Sequence, residues 1–176
     1  MLLSESLLVA TCVLAAAVDH RRGEIPDSLS LGACAAAAFA NAGHALEGGA
    51  LLGALGPALL RTAGGAVLTA LVPLLLWRRG ALGGGDVKLF AAIGAFLGPL
   101  RGLEACLASF LVGSLLGVVA LLRDGQLGAA LEHVASPRSF GRRAAATEGA
   151  PQTWMRFAPA ILVGTLAVLF LRAGAR

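Results

Sequence analysis

Hydrophobic residues occur in long unbroken runs, which short charged or glycine-rich joints separate, and apolar and polar positions seldom alternate. This pattern predicts membrane helices rather than barrel strands, because a barrel strand would show apolar and polar residues in turn. Six apolar segments are predicted as spans, at about residues 2–18, 28–44, 62–77, 87–98, 103–122 and 157–171. The expected fold is all-α, a polytopic membrane protein with about six transmembrane helices in one domain over residues 1–176.

Two of these segments differ from an ordinary span. The apolar region 50–77 contains Pro57 and Arg61, which predict a short interfacial helix before the third span. The fourth segment has about 13 residues and would cover only about 20 Å of a hydrocarbon core near 30 Å. Either the glycines before it dip into the bilayer or the membrane thins there, and both alternatives place Asp86 at some depth.

Composition and charge fix the class of protein and its orientation. With 57% hydrophobic and 14% charged residues, the chain is too apolar for an ordinary soluble domain. The joints 19–27, 78–86 and 123–156 hold nine of the arginines, which makes their side of the membrane cytoplasmic and leaves both termini outside. The basic loop 123–156 is interpreted as an exposed cytoplasmic segment, and not as a nucleic-acid site.

The first candidate for chemistry is Asp86, which follows Gly83, Gly84 and Gly85 between two apolar runs. An ionised aspartate near hydrocarbon costs roughly 2.5 to 3.5 kcal/mol, so its presence there favours a function. Glycines also let an extended substrate backbone come close. The alternative is structural, with Asp86 capping the next helix and the glycines forming a turn.

The second candidate is Asp19, which two predicted spans separate from Asp86. An even number of spans places both carboxylates at the same membrane face. Two such carboxylates can share one proton, so that one activates water as a base while the other donates to a substrate carbonyl. Asp27 competes with Asp19 for this role, although its position after Pro26 and before a helix is typical of a cap.

Lys88 has two interpretations as well, since its ammonium could balance the charge of the aspartates and hold the loop, or could simply snorkel to the interface. No metal or cofactor is expected, because the three cysteines show no CxxC spacing and the three histidines share no pattern. No GxSxG motif is present for a serine hydrolase. A small transporter or an assembly scaffold, with the aspartates relaying protons or pairing with arginine, is the rival from outside the enzymes.

Three stretches resemble a known family. The sequence Gly83-Gly84-Gly85-Asp86-Val87-Lys88-Leu89 looks like the GxGD motif and following lysine of type IV prepilin peptidases. Asp19 through Ile25-Pro26-Asp27 resembles their first aspartate motif, and Arg156 through Ile161 resembles the segment that opens their final helix. The chain departs from the family at Asp27, where asparagine is usual.

The resemblance implies an aspartic peptidase of the bacterial inner membrane that removes the basic leader from pilin precursors at the cytoplasmic face. Asp19 and Asp86 would be the catalytic pair, supported by Gly83, Gly84, Gly85, Lys88, Pro26 and Asp27. The implied partners are a prepilin or pseudopilin, the lipid bilayer and the pilus assembly machinery. Without the cytoplasmic CxxC domain of larger members, the chain is similar to the short, peptidase-only forms of tight-adherence (Flp-type) systems. Another GxGD intramembrane peptidase is the alternative enzyme.

Overall fold

The computed structural model describes residues 2–22, 25–47, 53–123, 125 and 157–174. These residues form helices α1 Leu2–Arg22, α2 Asp27–Glu47, α3 Leu55–Arg78, α4 Gly84–Leu97, α5 Pro99–Arg123 and α6 Ala158–Ala173. The described part of the chain has no strand, which confirms the predicted all-α class. Helices α2, α3 and α5 are long and apolar enough to cross a membrane, so the protein is polytopic, with fewer such helices than the six predicted spans. The predicted loop 123–156 lies almost wholly outside the described residues.

Two helices extend beyond the segments that hydropathy predicted. Helix α1 continues to Arg22, so Asp19 lies within a helix and not in a joint. The basic residues in its last turn favour this extension, because cations interact well with the negative end of a helix dipole. Helix α3 is continuous from Leu55, and the prediction of a separate interfacial helix in this part is wrong. Pro57 is accommodated because it lies in the first turn, where its missing N–H leaves no helical hydrogen bond broken.

Helix α4 is the centre of the fold. It contacts α1, α2, α3 and α5, and most of its length is buried, from Val87 to Leu97. With 14 residues it is about 21 Å long, so the predicted short fourth segment is confirmed. Its neighbours enclose it, and they supply the surface that faces lipid.

The backbones of α3 and α4 touch where two glycines face each other. A Cβ atom added to Gly94 would lie 2.2 Å from the carbonyl oxygen of Gly65 and 2.4 Å from the hydroxyl oxygen of Thr69. A Cβ atom on Gly65 would lie 2.1 Å from the carbonyl oxygen of Gly94. Small residues of this kind allow helices in membranes to pack closely, and here they fix the depth of α4 against α3.

Side chains from two other helices complete the hydrogen bonding at the end of α4. Pro99 has no N–H, so the carbonyl of Ala95 lacks its usual helical donor, and the Asn41 Nδ2 donates to it at 2.9 Å. An Arg61 Nη2 donates to the carbonyl of Leu97 at 3.2 Å. Gly98 takes a φ of +81°, and the guanidinium of Arg61 lies against it. The helix therefore ends inside the bundle with these carbonyls satisfied.

Candidate active site

A tight turn connects α3 to the glycine-rich stretch. The N–H of Gly80 donates to the carbonyl of Trp77 at 2.8 Å, and the N–H of Ala81 donates to the carbonyl of Leu76 at 2.9 Å. Together with the positive φ of Gly80, +76°, these bonds form a Schellman motif. The motif ends α3 sharply, so only a few residues separate it from the start of α4.

Gly83 is the N-cap of α4, and Asp86 occupies the third helical position. The backbone of Gly83 is extended, with φ −73° and ψ 145°, and it hydrogen-bonds to the carboxylate of Asp86. This is the half of a capping box in which the third residue reaches back to the N-cap. The bond orients the Asp86 side chain at the open end of the helix.

The next two glycines lie against large side chains of the same protein. A Cβ atom on Gly84 would be 3.2 Å from the indole Nε1 of Trp77, and one on Gly85 would be 2.9 Å from the Cβ of Ile25. Ile25 is buried and precedes Pro26 in the joint between α1 and α2. The glycines thus bring the α3–α4 connection and the α1–α2 joint into direct contact.

Asp19 reaches the same place from the last turn of α1. It is only 7% exposed, and its Oδ2 has no hydrogen-bond partner among the described residues. Its charge acts on Asp86, whose pKa rises from 3.8 to about 6, first because burial disfavours the ionised form and then because of the Asp19 carboxylate. The hydrogen bond from Gly83 partly offsets this rise. The two aspartates therefore form an interacting pair in which Asp86 holds a proton more readily than a free aspartate does.

Asp27 and Lys88 form a separate contact beside this aspartate pair. Asp27 is the first residue of α2, and its Oδ1 accepts a hydrogen bond from the Lys88 Nζ in an ion pair. Both side chains are well exposed, at 68% and 44%. Pro26 is half-buried, and its carbonyl accepts from the N–H of Leu29 at 3.0 Å. The contact joins the start of α2 to the first turns of α4.

An aromatic cluster lies one helical turn beyond Asp86. Phe90 stacks on Phe110 of α5 with ring centroids 5.6 Å apart, and Phe157 tilts against both rings at 6.4 and 5.4 Å. Gly113 leaves room for Phe157, since a Cβ atom there would lie 2.2 Å from its ring. Because Phe90 follows Asp86 by four residues, this apolar cluster lies next along the same face of α4.

Sequence reasoning missed Ile25 and Trp77 as parts of this site. The predicted third span ends at Trp77, and an aromatic residue six positions before Gly83 is close enough to fold back onto the glycines. Ile25 lies between Asp19 and Asp27 and is apolar in a charged joint, which was the available signal. No group of three metal-binding side chains occurs together in the described part of the chain.

Comparison with known protein families identifies a match over most of the chain. A family model described as the type IV leader peptidase family matches residues 6–122. This range contains both aspartates, the Pro26–Asp27 joint and the whole glycine-rich stretch, and it ends near the end of α5. No curated protein and no solved structure matches the chain.

Proposed function

The chain belongs to the type IV leader peptidase family, and on this premise we propose that it cleaves the basic leader from type IV, Flp-like prepilins or pseudopilins. Asp19 and Asp86 are the proposed catalytic pair. Cleavage takes place at the cytoplasmic face of the bacterial inner membrane. The proposed substrate, the inner membrane and the cytoplasmic face are inferred from the sequence motifs and from the distribution of arginines.

The observation that carries the proposal is the electrostatic interaction of Asp19 with Asp86 at one end of the bundle. These residues are distant in sequence and come from different helices. A carboxyl that holds its proton beside a second, buried carboxylate is the arrangement that aspartic peptidases require. A purely structural cap at Asp86 would have no need of a buried acidic neighbour.

In the proposed mechanism, ionised Asp19 accepts a proton from water as the water oxygen attacks the scissile carbonyl carbon. Protonated Asp86 donates to the carbonyl oxygen, which yields a neutral tetrahedral diol. Collapse of the diol breaks the C–N bond, and the proton on Asp19 passes to the leaving amine nitrogen. The diol hydroxyl that becomes the new carbonyl returns its proton to Asp86, so the pair ends as it began.

The remaining predicted residues have supporting roles in this proposal. Gly84 and Gly85 allow Trp77 and Ile25 to pack against the backbone that carries Asp86. Pro26 and Asp27 set the start of α2, and Lys88 holds Asp27 through the exposed ion pair. Gly83, whose backbone orients the Asp86 carboxylate, is the glycine proposed to face the substrate strand.

The first prediction tests the catalytic pair through cleavage of a co-expressed prepilin. Asp19→Asn and Asp86→Asn should each lower the cleavage rate by at least about a thousandfold, because each removes a proton-transfer group. Asp27→Asn should cleave within about fivefold of wild type, since its carboxylate is exposed and pairs with Lys88. Gel mobility of the precursor gives the readout.

Other outcomes of the same assay would overturn parts of the proposal. Cleavage that persists in Asp19→Asn and disappears in Asp27→Asn would assign Asp27 as the partner of Asp86. A precursor that stays uncut with wild type and is cut after its leader is exchanged would indicate another intramembrane peptidase activity. Proton-coupled flux without a change in precursor size would favour the transporter.

A further inference from the structure

A cavity lies at the end of the bundle opposite the aspartate pair. It has a volume of about 400 Å³, and it is formed where α1, α3 and α5 begin and α2 and α4 end. Glu5 precedes Asp19 by 14 residues of α1, so the cavity is about 20 Å from the proposed catalytic site. Peptide hydrolysis at Asp19 and Asp86 therefore makes no use of it.

Two arginines and one glutamate line the cavity, together with His44. Arg61 uses one N–H group on the carbonyl of Leu97, and a guanidinium has four further N–H groups. Arg101 and Glu5 also line the cavity, and neither makes a side-chain hydrogen bond or ion pair with another described residue. The neighbouring Arg172, by contrast, is paired with Glu104 through bonds of 2.5 to 3.1 Å. The cavity thus presents two cationic groups and one anionic group that the fold leaves available.

We propose that this cavity binds a phosphoethanolamine group, with the phosphate at Arg61 and Arg101 and the ammonium at Glu5. A phosphate alone would meet the unfavourable charge of Glu5, whereas a zwitterion matches both signs. Guanidinium groups suit phosphate oxygens because they donate paired hydrogen bonds in a planar fork. Asn41, which also lines the cavity, adds a polar wall.

The surroundings of the cavity favour a lipid as the source of this group. Leu60 is 76% exposed and adjoins Arg61, and Leu100 is 77% exposed and adjoins Arg101. In a membrane protein these side chains face the acyl chains, so a headgroup in the cavity would leave its tails against apolar surface. A soluble phosphoethanolamine ester has the same polar chemistry without the tails, and the experiment separates these two sources.

The test is a lipid titration of the purified full chain in detergent, followed by native mass spectrometry. We expect phosphatidylethanolamine to bind at least about tenfold more tightly than phosphatidylglycerol or phosphatidylcholine, because a lost charged hydrogen bond is worth about a factor of ten or more. Phosphatidylglycerol lacks the ammonium, and the methylated ammonium of phosphatidylcholine cannot donate to Glu5. Equal binding of the three lipids would overturn the proposal without any variant.

Two substitutions locate the site. Arg101→Gln should weaken phosphatidylethanolamine binding by about tenfold, and Glu5→Gln should remove the preference over phosphatidylglycerol. Arg79→Gln, an exposed arginine at the other end of α3, is the matched control and should bind as wild type does. If Arg101→Gln binds phosphatidylethanolamine as tightly as Arg79→Gln does, the assignment of the lipid to this cavity is refuted. Prepilin cleavage by all three variants should be unchanged, so failure of this proposal and failure of the peptidase proposal are distinguishable.

Competition by soluble compounds shows whether the phosphoethanolamine group comes from a lipid or from a soluble ester. Glycerophosphoethanolamine that displaces the lipid only at far higher concentration supports a lipid ligand, and displacement at equal concentration supports a soluble ester in the same site. Inorganic phosphate that competes as well as glycerophosphoethanolamine would overturn recognition of the ammonium, and with it the proposal.

Discussion

The three aspartates of the candidate site differ sharply in burial, and this difference separates the proposed catalytic pair from Asp27. Asp19 is buried and Asp86 is half-buried at the start of a helix, while Asp27 is exposed and already paired with a lysine. Burial makes the free energy of a carboxyl depend strongly on its charge, whereas an exposed ion pair is largely screened by water. The two kinds of carboxylate should therefore respond differently to pH and to substitution.

The stability of the protein should fall as the pH rises through about 6, because of Asp86. The pKa of this carboxyl is about 6 in the fold and 3.8 as a free group, so the folded protein retains a proton that the unfolded chain releases. The resulting stabilisation is complete below 3.8 and is lost above about 6. The stability of Asp86→Asn relative to wild type should therefore increase between pH 4 and pH 8, by on the order of 2 to 3 kcal/mol.

Thermal melting in detergent at pH 4, 6 and 8 measures this difference. Asp27→Asn serves as the matched control, since it also replaces an aspartate by asparagine but at an exposed position. If the melting temperatures of Asp86→Asn and wild type differ by the same amount at pH 4 and pH 8, the raised pKa of Asp86 is contradicted.

The ion pair between Lys88 and Asp27 should contribute little to stability. With side chains 44% and 68% exposed, a coupling energy of at most about 1 kcal/mol is expected. A double-mutant cycle of Lys88→Met and Asp27→Asn, measured by thermal melting, gives this coupling directly. It should shrink at 1 M salt, where charges are screened beyond about 3 Å. A coupling of several kcal/mol would show instead that the pair locks the joint.

Among the elements, α4 connects the two ends of the molecule. Its first turn carries Asp86, and its last turn packs against Gly65 of α3 and has carbonyls that bind Asn41 and Arg61. A helix held at its start and at its end has little freedom to slide. The depth of Asp86 relative to Asp19 is therefore set by packing along the whole helix.

Substitution of Gly94 should displace this helix. Gly94→Ala places a Cβ atom 2.2 Å from a backbone oxygen of α3, which must be relieved by moving the helices apart, at a cost of about 1 to 3 kcal/mol. Gly43→Ala in α2 is the control, because nothing lies within 4 Å of a Cβ atom there. Thermal melting should show a loss for the first and none for the second. Equal melting temperatures would mean that the α3–α4 contact is not tight.

Hydropathy predicted the positions of these helices well and their ends poorly. Every predicted span corresponds to a helix, yet α1 continues past Asp19 and α3 begins seven residues before the predicted span. Hydropathy detects the apolar stretch, whereas hydrogen bonding continues through charged interfacial residues until a turn such as that at Gly80 ends it. The aspartate pair was predictable from parity and motif. The contacts of Ile25 and Trp77 were not, because they depend on how two joints meet in space.

The whole molecule has apolar residues on its outer surface and several polar residues inside. Leucines and valines along α3 and α5 are among the most exposed side chains, while Asp19, Ser30, Thr62, Thr69, Ser109 and Thr165 are buried. This distribution suits a bundle surrounded by lipid, in which Ser30, Thr62 and Ser109 donate to carbonyls of their own helices. The two ends of the bundle then face opposite sides of the membrane.

Cysteine labelling can establish which end faces the cytoplasm. Ala81→Cys lies beside the aspartate pair and Gly53→Cys at the opposite end, and both positions are exposed. In a background without Cys12, Cys34 and Cys106, a membrane-impermeant maleimide should label Gly53→Cys in intact spheroplasts and Ala81→Cys only after lysis, as the arginine distribution predicts. The reverse pattern would place the aspartate pair outside.

The shortness of α4 also has a consequence for biogenesis. A segment of 14 residues is too short to partition stably into the bilayer as an independent helix, and its termini need Asn41, Arg61 and the backbone of Gly65. Integration of α4 must therefore await α2 and α3, which leave the ribosome before it, and must be completed together with α5. The aspartate pair is therefore assembled only at this late step, when α2 and α3 are in place to hold the helix that carries Asp86.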